Sequence, residues 1–145
     1  MTPVKQSVKH DPANGRYGDC MRCCIASMLD MQPAGIRNFG ELASKGAEEF
    51  WSAVNDFLIF LGYRIATFAF DAEVPEVLAS MELHNSGMYW IMGCAGPKAN
   101  HSVVCCGGRV VSDPAGYTVD QLKRDDSGFV WANLLYPLRF FDGRG

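Results

Sequence analysis

The chain has little positive charge and no long apolar run. Its 13 Lys and Arg stand against 16 Asp and Glu, a net charge of −3. That balance gives no reason to expect nucleic acid, whose binders carry a basic patch. No stretch reaches the roughly 18 apolar residues of a membrane-spanning helix. Met1 to Lys9 holds no apolar h-region, which predicts no signal peptide and a cytoplasmic location. There is no low-complexity tract, internal repeat or linker. What remains is 145 residues, 48% hydrophobic, 12% aromatic and 20% charged, the profile of one globular domain. A domain of that size buries roughly 68–70% of its unfolded surface, so its core needs no disulfide staples. The six cysteines are therefore expected to be mostly reduced, as buried small hydrophobes, metal ligands or catalytic thiols.

The segment Tyr17-Gly18-Asp19-Cys20-Met21-Arg22-Cys23-Cys24 organises the chain. Asp19 is a favoured N-cap residue, so a helix is predicted over 19–30 with Cys20 as its first helical residue. There the partial positive charge of the helix N-terminus favours a thiolate. Cys20, Cys23, Cys24, Ser27 and Met28 share one stripe, and Ile25 and Leu29 widen it, so the helix is expected to be almost surrounded by protein. Pro33 and Gly35 end it.

Residues 1–16 read as an irregular arm whose Gln6, His10 and Asn14 are the polar groups able to face a site. After a short helix within 38–46, a strong amphipathic helix runs over 47–61, with Phe50, Val54, Phe57, Leu58 and Leu61 on one face and Gly62 as its stop. Strands are predicted over 63–70, 88–93, 101–106, 109–112 and 129–135, and a helix over 73–81. Residues 94–99 are expected to form a loop, Gly107-Gly108 a two-residue hairpin turn, and 118–124 a helical turn capped by Thr118. The tail, 140–145, is expected to fray. Helices first and then a mainly antiparallel sheet make the fold class α+β.

His101 opens a strand and Asp113 closes its hairpin partner, 12 residues on. Counted outward from the turn, Cys106 faces Arg109, residue 102 faces 113, and 101 faces 114. His101 and Asp113 are then diagonal neighbours, and a one-residue bulge decides how close they come. Cysteine, histidine and aspartate together supply a thiol nucleophile, a base and a group to orient that base. The N–H of Cys20 supplies one donor for a developing oxyanion.

Gly18-Asp19-Cys20 opening a helix, His101-Ser102-Val103-Val104 and Asp113-Pro114 together resemble the papain-like cysteine peptidase superfamily, and within it the C39-like branch. The chain is also similar to small papain-like proteins encoded by tailed phages. The resemblance implies a central helix packed on an antiparallel sheet. It implies Cys20 as nucleophile, His101 as base and Asp113 as its orienter, acting on a peptide, protein or isopeptide-like substrate without a cofactor. If the chain is phage-encoded, it would act in the host cytoplasm. The family places a glutamine shortly before the cysteine as an oxyanion donor. Asn14 fills that position here, and Gln6 is a second candidate if the arm folds back. Met21 stands where the family often has glycine, which implies a side chain at the substrate groove, with Trp90 as a possible wall.

Other readings of the same residues stand beside this one. Cys23 and Cys24 read as core. Cys20-x-x-Cys23 permits a thiol–disulfide exchange motif, although no strand precedes it. Cys20, Cys23, His101 and Cys105 or Cys106 could hold zinc. The scaffold could also serve as a non-catalytic binding protein, for instance a phage inhibitor of a host protein. Transglutaminase and deamidase chemistry uses the same three residue types.

Overall fold

A computed structural model describes residues 1–139. The helices are α1 (Cys20–Leu29), α2 (Gly40–Ala43), α3 (Ala47–Phe60) and α4 (Val74–Asn85). The strands are β1 (Tyr63–Phe70), β2 (Tyr89–Ala95), β3 (Asn100–Cys106), β4 (Arg109–Ser112) and β5 (Val130–Pro137). They form one antiparallel sheet in the order β1-β5-β2-β3-β4, so the fold is α+β. The expected fraying of 140–145 lies outside the described residues.

Most predicted elements appear within a few residues of their expected ends. Gly62, at φ +87°, follows α3 in the left-handed conformation that glycine favours. Two elements run longer than the sequence pattern suggests. The helix expected to stop at Met81 continues to Asn85, and β2 extends through Cys94 and Ala95, the start of the expected loop. The helical turn after Thr118 is a single 3-10 turn over Val119–Gln121, with Thr118 and Gln121 closing a capping box.

The sheet has a core on each face. One face packs Trp90, Met92, Val103 and Cys105 against Val77, Leu78 and Met81 of α4. The other packs Ile91 and Val104 against Cys24 and Ile25 of α1 and Val54 and Leu58 of α3. Each fully buried large side chain contributes roughly 1.5–3 kcal/mol relative to exposure.

Residues 1–8 lie along α1 in the opposite direction. Thr2 N–H donates to Ser27 O, Val4 N–H to Ser27 Oγ, and the Cys23 thiol to Lys5 O. Helix α1 is therefore held between the sheet and the arm, which accounts for its lack of a polar face. The arm lacks regular structure, as predicted, apart from a 3-10 turn at Pro12–Asn14 and a bridge between Asp11 and Arg16.

Candidate functional site

Cys20 is the first residue of α1, as the sequence predicts. Asp19 does not cap the helix with its side chain. Its buried carboxylate accepts hydrogen bonds from Ser7 Oγ (2.8 Å), Val8 N–H (3.1 Å) and Arg22 Nη2 (2.6 Å). Burial alone would raise the Asp19 pKa, but these partners outweigh it and hold the carboxyl below its ordinary value. The residue before the cysteine thus latches the arm onto the helix.

That latch brings Gln6 into the site region. Gln6 N–H donates to Pro114 O at 2.8 Å, next to Asp113. Its side-chain amide lies over Gly18, where a Cβ would stand 2.6 Å from Nε2. The same amide donates to Val8 O. The arm does fold back, and it carries Gln6 to the segment that leads into Cys20. Asn14 is not placed to serve as an oxyanion donor. It is exposed at the tip of the 3-10 turn, with its amide bound to Asp11 Oδ2 at 2.7 Å. His10 Nδ1 accepts the Gly18 N–H at 3.3 Å, a contact the sequence did not suggest.

A second buttress comes from the loop before α2. Asn38 Nδ2 donates to Tyr17 O at 2.9 Å, and its Oδ1 accepts the Gly40 N–H. A Cβ on Gly40 would stand 2.2 Å from Gly18 O, so only glycine fits there. Tyr17 and Gly18, which lead into Cys20, are thereby fixed from both sides.

His101 and Asp113 meet through a bulge. The ladder pairs Cys106 with Arg109 and Cys105 with Val110, then skips Val111 and pairs Val104 with Ser112. Continued from there, Asp113 lies opposite Val103, on the same face of the sheet as His101. In the uninterrupted register predicted from the turn, Asp113 would have opposed Ser102 and pointed to the other face. His101 Nε2 and Asp113 Oδ1 are 2.7 Å apart, with both side chains buried. The same Oδ1 accepts the N–H groups of Ala115 and Gly116. Burial opposes a charge on His101, but hydrogen bonds to Asp113 and to the Cys20 side chain, with the charges of both, push its pKa up to about 9. His101 and Asp113 are therefore in direct contact, and Cys20 lies near enough to the imidazole to act on its charge.

Four of the other five cysteines are buried, unlike Cys20. All six are free, and only Cys20 and Cys106 are partly exposed. Burial pushes the thiols of Cys23 and Cys94 up to about 12, and those of Cys24 and Cys105 are also raised. Such thiols stay protonated and inert. Among the described residues, no three His, Cys, Asp or Glu side chains cluster as ligands for a metal ion.

Neither expected groove residue lines a groove. Met21 is 4% exposed and packs into the core between α1 and the sheet. Trp90 is 0% exposed, and its indole N–H donates to Gly107 O at 2.9 Å. Met21 follows Cys20 in sequence, but one residue along a helix is about 100° around it, and that turn carries the side chain into the core. No family model, curated protein or solved structure matches the chain.

Proposed function

We propose that the protein is a papain-like cysteine peptidase or amidase, acting by acyl transfer on a peptide or isopeptide-like bond. The observation that carries this reading is the buried imidazole of His101, bonded through Nε2 to Asp113, with the Cys20 side chain close enough to favour its charged form. With Nε2 committed to Asp113, Nδ1 is the nitrogen left for Cys20. An imidazolium there is the charge with which a thiolate nucleophile pairs.

In the first step the Cys20 sulfur attacks the substrate carbonyl carbon and a C–S bond forms. The oxyanion is received by the Cys20 N–H, which has no partner within its own helix, and by the Gln6 amide. The C–N bond breaks as His101 gives its proton to the departing amine, leaving a thioester. Neutral His101 then takes a proton from water, whose oxygen displaces Cys20 sulfur and releases the acid. Asp113 holds the ring throughout. These residues need no cofactor for this sequence of steps.

The test is the alkylation rate of each cysteine by iodoacetamide from about pH 5 to about pH 9, mapped by mass spectrometry. Cys20 is expected to react faster than Cys106 across the lower half of that range, and His101→Ala to remove the advantage. Equal rates at Cys20 and Cys106 in the wild type would sink the proposal. A peptidyl vinyl sulfone that labels wild type and leaves Cys20→Ala unlabelled would then identify the acyl group preferred.

A further inference from the structure

A single hydrogen bond fixes one atom of an imidazole and leaves the ring free to swing about χ2, a torsion that is broad for histidine. Asp113 gives His101 one oxygen only. Its Oδ1 serves the ring and the turn behind it, while Oδ2 is buried without a hydrogen-bond partner. The Cys20 side chain is the ring's other partner, and neither of these end-on contacts packs against the ring itself.

We propose that Tyr117 is a positioning residue that sets the His101 ring plane and shuts water away from its bond to Asp113, and that Gly96 is glycine to let it do so. This rests on the reading of His101 as the base for Cys20. The Tyr117 ring meets the imidazole edge-on, with centroids 5.3 Å apart and planes at 72°, a favoured aromatic geometry. Asp113 itself delivers Tyr117 to that place. The N–H groups of Ala115 and Gly116 bond to its Oδ1, and Gly116, at φ +77°, turns the chain back toward the histidine. Thr118, the next residue, is anchored by its N–H to Gln121 Oε1 at 2.9 Å. On the other side, a Cβ on Gly96 would lie 3.0 and 3.3 Å from two Tyr117 ring carbons and 3.6 Å from His101 Cβ. Tyr117 therefore rests on the bare backbone of Gly96, and a Cβ there would push its ring by a few tenths of an ångström from its seat against the histidine. The titratable groups around the ring are Asp113, Cys20 and Tyr117, with Cys94 directly opposite on β2.

The experiment uses the full chain and two readouts, neither of which needs a substrate. The first is the imidazole N–H proton of His101 by NMR, which is observed only when its hydrogen bond is protected from exchange with water. The second is the rate of Cys20 alkylation. Tyr117→Phe keeps the ring and is expected to keep both signals. Tyr117→Ala and Gly96→Ala are expected to lose the imidazole resonance to exchange while backbone amides in β2 and β3 stay in place, and to slow Cys20 alkylation about tenfold. Persistence of the resonance at wild-type sharpness in Tyr117→Ala would overturn the proposal, as would its loss in Tyr117→Phe, which would assign the effect to the hydroxyl. If Tyr117→Ala does not fold, Tyr117→Leu decides by the same criteria. Failure of the catalytic reading looks different. In that case Cys20 reacts no faster than Cys106 in the wild type, while the resonance still depends on the Tyr117 ring.

Discussion

Removing the Asp19 carboxylate should unlatch the arm. In Asp19→Ala the Arg22 guanidinium, the Val8 N–H and the Ser7 hydroxyl all lose their acceptor. Removing one partner of a buried ion pair costs about 3–5 kcal/mol. The Arg22 side chain keeps 17% exposure and can turn partly to water, so the lower end, about 3 kcal/mol, is expected. For a domain near this size that lowers Tm by roughly 6–12 °C. Asp19→Asn should cost less, because its amide oxygen can still accept from Val8. The linkage has a definite sign. The Asp19 carboxyl is held below its ordinary 3.8 in the folded protein. Its stabilisation is therefore complete above that value and is lost as the pH falls through the lower folded value. The acid limb of stability against pH should be shallower in Asp19→Asn than in wild type. The assay is thermal unfolding by circular dichroism across the acid range, with hydrogen exchange at Val8 as a local readout. The Val8 amide should exchange much faster in the variant while Val104, in the middle of the sheet, hardly changes. A Tm within about 2 °C of wild type, or an unchanged Val8 exchange rate, would refute the latch.

Three further outcomes are expected. The folded pKa of His101 is raised to about 9 from an ordinary 6.5, so its contribution to stability is complete below 6.5 and lost as the pH rises through 9; urea melts should show that loss, and Asp113→Asn should flatten it. Gly40→Ala should cost about 1–3 kcal/mol by pushing backbone against backbone, whereas Gly35→Ala, with nothing within 4 Å of a new Cβ, should be nearly neutral in the same melts. Once a substrate is found, Gln6→Ala should lower kcat by about 10²–10³-fold with little change in KM, and Asn14→Ala should leave kcat as it is.

The parts of the site that local chemistry determines were legible in the sequence. A glycine and an aspartate before an apolar helix put Cys20 at its first turn, and the hairpin at Gly107-Gly108 put His101 and Asp113 at one end of two strands. The parts set by tertiary contacts were not. Nothing in Arg109 to Ser112 announces which residue will bulge, yet the extra Val111 decides which face Asp113 occupies. The order of the sheet was equally hidden, since the last strand inserts between β1 and β2, which only long-range pairing can decide. Asp19 has the residue type of a cap, and local propensity favours that role. It lost to a tertiary partner, because Arg22 one turn along the helix, with Ser7 and Val8 from the arm, offers the carboxylate more than the helix end does. Gln6 was visible only conditionally, because its usefulness depends on where a segment without periodicity comes to lie. Tyr117 was missed. The one available signal was a glycine at 96 in a loop beside the histidine.

These misses share a cause that bears on how the site is completed. Helix α1 buries Met21, Cys23, Cys24, Ile25, Ala26 and Ser27, more than the sheet can cover alone, because a sheet covers only one side of a helix. The arm covers the other side, and its cheapest path runs the length of the helix, with Ser27 Oγ accepting from Val4 and donating back to Cys23 O along the way. A segment laid along the helix in that direction must arrive at its N-terminus, where Cys20 stands. The same apolar burial that stabilises α1 therefore delivers Gln6 over Gly18, two residues before Cys20, and the Asp19 latch fixes the point of arrival. Arm docking and completion of the proposed oxyanion hole are then one event, so a variant that frees the arm should lose transition-state stabilisation while the pairing of His101 with Asp113, which lies wholly within β3 and the turn after β4, survives.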